Sequence, residues 1–338
     1  MRVYFKFFLS ICFLSLTFLS YKIYSEENAM FSVKTLAPRE IKNLKDVEFP
    51  EKNDIRNKAA ELAAAANDPY AASLPMMISA ELGDAKEYLN NRRQMVQLLN
   101  ELDESTDPKW KWMQNNSFKA WMWGRILLAA QSIGDYGQVQ SAKNTLAHLL
   151  QTKPTEVDNL AFTAWAWGYR AALNRSQYHA SKKIMMDDAQ ALADKYQQSG
   201  KNSDLSDELW GWVMNIQAAA RANDKATYEK IKSKIAGKEG EALPAEIALA
   251  LNKGLSHTAA SNDYPAWALA KVRLAAAMMG DDKLFIGLAE PLAISIAEAN
   301  KIGTPGAKAE YSFAVLDNEL AKIIGKDLEP KQQISYHV

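Results

Sequence analysis

From about residue 53 onward, apolar residues recur every three or four positions, and the strict alternation of a half-buried strand is missing. The stretch Asn57–Ala66 consists almost wholly of Ala, Leu, Glu and Lys, and propensity alone predicts a helix there. Residues 26–52 hold Pro38 and Pro50 among mixed polarity and read as a lead-in with at most one short helix. Residues 53–338 read as one all-α domain.

The helical pattern repeats along the chain. Ala120-Trp-Met-Trp123, Ala164-Trp-Ala-Trp167, Leu209-Trp-Gly-Trp212 and Ala266-Trp-Ala-Leu269 align with one another. Each precedes a small-residue patch, at Ala129-Ala130, Ala171-Ala172, Ala218–Ala220 and Ala275–Ala277. Three then reach a turn, at Gly134-Asp135, Asn223-Asp224 and Gly280-Asp281, while Tyr178-His179 takes that place in the unit at 164. Fainter copies run from Tyr70-Ala-Ala72 to Gly83-Asp84 and from Tyr311-Ser-Phe313 to Gly325-Lys326, giving six units.

Each unit reads as helix, turn, helix. Asn67, Asn116, Asp158, Asp207 and Asn262 precede the aromatic pairs as expected N-caps. Gly or Asn at the turn suits a left-handed helix end, and Asp135 and Asp224 cap the helices expected over Tyr136–Leu150 and Lys225–Ile235. Two longer spacings have visible causes: a Trp110/Trp112 connector over 104–115, and Pro244 with an extra helix near 245–253. The expected fold is all-α, with helical-hairpin repeats forming a right-handed α-solenoid or a partly closed α/α toroid.

The unit holding Trp123, Gly134-Asp135-Tyr136 and Pro154 resembles a tetratricopeptide-type repeat, although the period here is longer and Leu127 stands where that family has a small residue. The resemblance implies a curved array whose concave groove binds a peptide or protein segment.

The two Trp of a pair, at i and i+2, lie about 200° apart on a helix and cannot share a face. One must pack within its own hairpin, and the other turns to a neighbouring repeat or to the concave surface. Trp121, Trp165, Trp210 and Trp267, with Tyr70 and Tyr311 in the outer units, are the candidate groove residues; packing between helices is the competing role.

Charge and chemistry narrow the picture. Arg2 and Lys6 precede an uncharged apolar run over 7–21, so residues 1–25 read as a signal peptide or an N-terminal anchor. Lys+Arg and Asp+Glu each number 40, but three of the bases fall in that leader, leaving a mildly acidic remainder with no basic run for nucleic acid. Cys12 also falls there, so disulfides and cysteine ligands are excluded from the rest. His148, His179, His257 and His337 are too scattered for a zinc site, and no phosphate loop, nucleophile elbow or dinucleotide fingerprint occurs. No metal or cofactor is expected. His148 is expected at a repeat seam.

The catalytic candidates are Tyr169, Arg170 and His179, near the end of the unit at 164, with Asp207 and Glu208 as candidate acids. The expected function is an exported scaffold, periplasmic, secreted or anchored to the inner membrane of a bacterial envelope, that holds a protein or peptide in its groove. The alternative is a glycan-binding or glycan-degrading α/α toroid. A convergent cluster of titratable groups in a closed cleft separates the second from the first.

Overall fold

The computed structural model describes residues 43–151, 159–256 and 263–328. The chain divides at residue 40, and the fold belongs to the unit from Ile41 onward. The leader over 1–25, the expected caps Asp158 and Asn262, Pro154, His257 and His337 lie outside the described residues.

Fourteen α-helices are present, with no strand among the described residues. In chain order, α1 (Lys52–Ala65) leads into the hairpin of α2 (Pro69–Leu82) and α3 (Ala85–Glu104). A 3-10 turn over Pro108–Met113, the Trp110/Trp112 connector, then reaches α4 (Asn116–Ile133) and α5 (Tyr136–Leu149). Next come α6 (Leu160–Ala171) with α7 (Arg175–Ser199), then α8 (Asn202–Arg221) with α9 (Lys225–Ile235). The expected extra helix is α10 (Pro244–Gly254). It precedes α11 (Pro265–Met279), with α12 (Asp282–Gly287) and α13 (Ala289–Ile302), and the chain returns through α14 (Pro305–Ile324). Among the described residues no helix is long and apolar enough to cross a membrane.

The first helices of the hairpins, α2, α4, α6, α8, α11 and α14, pack in that order against one another. They are apolar nearly all round, as helices enclosed on every side must be. The alanine patches near their ends are buried and let the backbones approach closely. The sequence left open whether the array closes, and it does. α14 packs on both α1 and α2. Lys308 Nζ donates to Glu61 Oε2 at 2.5 Å, and Lys58 lies 4.7 Å from the Tyr311 ring centre. The unit is thus an inner ring of six helices with the second helices, and α1, outside it.

At four of the six turns an aspartate ties the hairpin to the preceding outer helix. Gly83, Gly134, Asn223 and Gly280 end inner helices with φ between 57° and 79°, the left-handed region. The Asp that follows donates its backbone N–H to a carbonyl five residues back, as Asp224 does to Ala219 at 2.9 Å. At Asp135, Asp224 and Asp281 one carboxylate oxygen then caps the outgoing helix, Asp224 Oδ1 accepting from Thr227 N and Asp281 Oδ1 from Leu284 N. The other oxygen accepts from the previous outer helix. Tyr178 and Lys182 of α7 donate to Asp224 Oδ2 at 2.8 and 2.6 Å. Tyr228 and Lys232 of α9 donate to Asp281 Oδ2 at 3.0 and 2.6 Å. Arg92 of α3 donates to Asp135, and Arg56 of α1 grips Asp84 with two nitrogens at 3.0 and 3.1 Å.

The third hairpin corrects the sequence reading. Its turn falls at Leu173-Asn174, where Asn174 caps α7, and not at Tyr178-His179. α6 is short, with twelve residues, and Tyr178 belongs to the clasp on Asp224. The expected caps Asn67 and Asn116 are each displaced by one residue, to Asp68 and Asn115.

Burial alone would raise the Asp224 and Asp281 carboxyls, but their donors outweigh it and hold both below the usual carboxylate range. A carboxyl depressed in the folded state contributes stability above its unfolded pKa and loses it as pH falls. Thermal stability should therefore fall progressively below about pH 4. Asp281→Asn should cost about 2–3 kcal/mol at neutral pH because buried Lys232 keeps only the half-exposed Glu229 as a countercharge. Tyr228→Phe should cost about 1 kcal/mol. Urea unfolding of the two variants measures both, and equal small costs would contradict the clasp.

Candidate functional site

At the N-terminal end of the inner ring lies a cavity of about 420 Å³, lined from five of the six inner helices and the segments that lead into them. A helix brings residues four apart onto one face, and this register builds the wall in layers. Each layer can be counted from the groove tryptophans.

Trp121, Trp165, Trp210 and Trp267 form the middle layer, with Tyr70 beside them. Their rings meet in sequence: Tyr70 and Trp121 at 5.4 Å, Trp121 and Trp165 at 4.9 Å, Trp210 and Trp267 at 5.1 Å. Trp165 Nε1 is buried without an acceptor. The Tyr70 and Tyr264 hydroxyls join across 194 residues of chain at 2.6 Å. Tyr264 holds a left-handed φ of 52°, a strained backbone for a bulky side chain. The second Trp of a pair faces outward as the i, i+2 geometry requires. Trp212 is fully buried, donates to Glu208 at 3.2 Å and lies under Lys234 of its own hairpin.

One turn towards the mouth stand Ser206 and Asp207, four and three residues before Trp210, and Asp263, four before Trp267. Asp68 joins them while capping α2 through Ala71 N at 2.7 Å. Asp263 accepts from Ser206 at 3.1 Å, and its carbonyl accepts from Trp210 Nε1 at 2.7 Å. Asp207 was expected at a helix start. Because α8 begins at Asn202, Asp207 instead sits inside the helix with its side chain at the cavity. Glu208 does not line the cavity, and burial raises its pKa.

One turn inward, four residues after three of the tryptophans, lie Arg125, Tyr169 and Met214. Gly124 makes room for Tyr169, since a Cβ there would lie 2.9 Å from its ring. Arg125 is 2% exposed and lies against two adjoining aromatic rings, 4.3 Å from the centre of Trp121 and 4.8 Å from that of Tyr70. Beyond Trp267 the same step reaches Lys271, which is paired with Asp317 at 3.3 Å and lies outside the cavity wall.

The structure thus gathers Tyr70, Trp121, Trp165, Trp210 and Trp267 around one space. Tyr311 is elsewhere: it packs beside Lys58 of α1, and burial with the nearby Asp54 and Glu51 pushes its hydroxyl up to about 12. The ring position beside Trp267 is taken by Phe313, stacked at 4.2 Å. The proposed catalytic trio does not converge. Tyr169 is at the cavity floor, Arg170 donates to Gln177 at 3.0 Å within its own hairpin, and His179 lies on outer helix α7 beside Tyr178. His148 is exposed on α5 and not at a repeat seam. Among the described residues no group of His, Cys, Asp and Glu could hold a metal ion. Sequence reasoning missed Arg125 and Asp263, although the four-residue step from Trp121 and Trp267 carries the signal for both. No protein-family model, curated protein or solved structure matches the chain.

Near Asp317 and Lys271 lies Glu81, whose Oε2 is buried without a donor. Burial, and then Asp317, push its carboxyl up to about 8. A group raised in the folded state contributes stability below its unfolded pKa and loses it as pH rises through the folded value. Glu81→Gln should therefore flatten the decline in melting temperature that the native chain shows between about pH 4.5 and 8. An unchanged slope would place Glu81 in a wetter setting.

Proposed function

We propose that this protein binds a saccharide in the aromatic cavity at the mouth of its helical ring, in the bacterial cell envelope. The carrying observation is the convergence of Tyr70, Trp121, Trp165, Trp210 and Trp267 on one space whose rim bears Asp207 and Asp263. Flat aromatic faces accept the C–H faces of a sugar ring at low entropic cost, while carboxylates accept from its hydroxyls. A volume of about 420 Å³ suits one or two sugar units and not a folded partner. Closure of the ring through α14 also favours this reading over a long concave groove. The leader over 1–25 supports export, periplasmic or secreted. A tetratricopeptide-type origin of the hairpins belongs to the same proposal, supported by Trp123, Gly134, Asp135 and Tyr136 about one turn.

A protein or peptide partner is the second reading. Trp112, at the cavity rim, is 53% exposed, large for an apolar side chain that serves packing alone.

Titration calorimetry of the purified chain with a panel of envelope-type oligosaccharides tests the first reading. Saturable binding is expected, weakened about tenfold by Trp165→Ala. Tyr136→Ala, on an exposed outer position, should leave binding unchanged. If no oligosaccharide binds and an envelope protein co-purifies in a manner lost with Trp112→Ala, the second reading replaces the first. Turnover of a bound oligosaccharide, abolished by Asp207→Asn, would extend the reading from binding to hydrolysis.

A further inference from the structure

Arg125 lies one helical turn below the tryptophan layer, on the floor of the cavity. Its Nη1 donates to Ser73 Oγ, and its Nε is buried with no acceptor. The rings of Tyr70 and Trp121 lie against it, and the Tyr70 hydroxyl is close to the guanidinium. The remaining buried basic residues of the inner ring are answered differently. Lys271 meets Asp317 and Gln217, and Arg273 donates to the Phe285 carbonyl and to Asn318. Among the described residues no carboxylate forms an ion pair with Arg125.

Burying a cation costs several kcal/mol unless it is paired, and two aromatic faces offset only part of that cost. A guanidinium also presents a planar fork that matches a carboxylate through two parallel hydrogen bonds. The charges in the cavity are ordered by depth. Asp207 and Asp263 stand three or four residues before the tryptophans and Arg125 four after, a separation of roughly 12 Å along the helices. An anion at the floor is therefore well removed from the acidic rim, while the rim carboxylates meet groups that donate hydrogen bonds.

We propose that Arg125 is the specificity residue of the cavity, and that the ligand is an acidic sugar whose carboxylate is held on the floor by the guanidinium while its hydroxyls face Asp207 and Asp263. The inference rests on the saccharide reading of the cavity. It adds the substrate class: uronic acids and other carboxylate-bearing sugars, in place of neutral ones. Tyr169 and Met214 line the cavity at the same depth and complete the floor.

The test compares binding of digalacturonate, its dimethyl ester and the neutral digalactoside to the full purified chain by calorimetry. The acid is expected to bind on the order of 30-fold more tightly than either neutral form, the value of a charge-assisted hydrogen-bonded contact. Arg125→Met should bring the three ligands to within about threefold of one another while retaining the neutral ones, and Arg125→Lys should restore part of the preference. If Arg125→Met does not fold, the comparison of acid with ester on the native chain decides the question alone. Equal binding of the three ligands by the native chain overturns the role of Arg125 and leaves the saccharide reading standing. Binding of none of them, together with none of the wider oligosaccharide panel, overturns both.

Discussion

An aspartate that must serve two helices at once sets the geometry of the ring. At Asp224 and Asp281 one carboxylate oxygen completes the first turn of its own outgoing helix, and the other receives a tyrosine and a lysine from the helix before it. The backbone of the same residue closes the left-handed end of an inner helix. Three elements therefore share one side chain, and the angle between successive hairpins is fixed at that point. The tyrosine and lysine stand four and eight residues after their own cap, so a single face of each outer helix does the gripping. Where the aspartate is lacking the contact changes kind. The third turn has Asn174 in place of the aspartate, and Val139 stands four residues after Asp135 where a tyrosine stands after Asp84, Asn174 and Asp224; at the last step Phe285 packs against Gly325, where a Cβ would lie 2.8 Å from its ring. The clasp is thus polar at four steps and apolar at the last, and the ring still closes.

Closure has a consequence for what the inner helices can carry. A helix enclosed by two inner neighbours and an outer layer has no solvent face, so each residue must pack or find a partner. This explains why Lys271, Arg273, Glu310 and Asp317 are all buried in stretches that sequence patterning would leave exposed. Glu310 accepts from Ala266 N at 2.7 Å and so caps α11 from a different hairpin. The N-terminal ends of the inner helices are where the enclosure stops, and the cavity forms there.

Much of this was legible. The i, i+2 tryptophans had to face opposite ways, and Trp210 and Trp212 do so, one to the cavity and one to its own hairpin. The left-handed turns at Gly134, Asn223 and Gly280, and the helix over Lys225–Ile235, followed from residues within a few positions of one another. What was hidden depends on distance along the chain. The contact of Lys308 with Glu61 spans 247 residues and leaves no local trace. The clasp did leave one, an Asp or Asn followed at four and eight by Tyr and Lys or Arg, seen at Asp84, Asn174 and Asp224. Its meaning appears only when the next turn is brought alongside. Asp207 was misplaced for the opposite reason, because a local preference for acids at helix starts outweighed a longer α8.

Tyr264 shows why the cavity has five walls and not six. Its strained backbone turns the chain into α11 and sets its hydroxyl against that of Tyr70, on the far side of α14 in chain order. Burial raises the pKa of both hydroxyls, so the pair stays neutral and hydrogen-bonded at ordinary pH. α14 then supports the site without entering it: Phe313 stacks on Trp267, and Asp317 accepts from Trp267 Nε1 at 2.9 Å. A strained residue persists where the surrounding contacts over-determine it. Here those contacts fix Tyr70, Tyr264 and Trp267 together, and two of the three touch a ring of the cavity wall from another helix. The contacts that hold this strain therefore fix the aromatic wall in one arrangement.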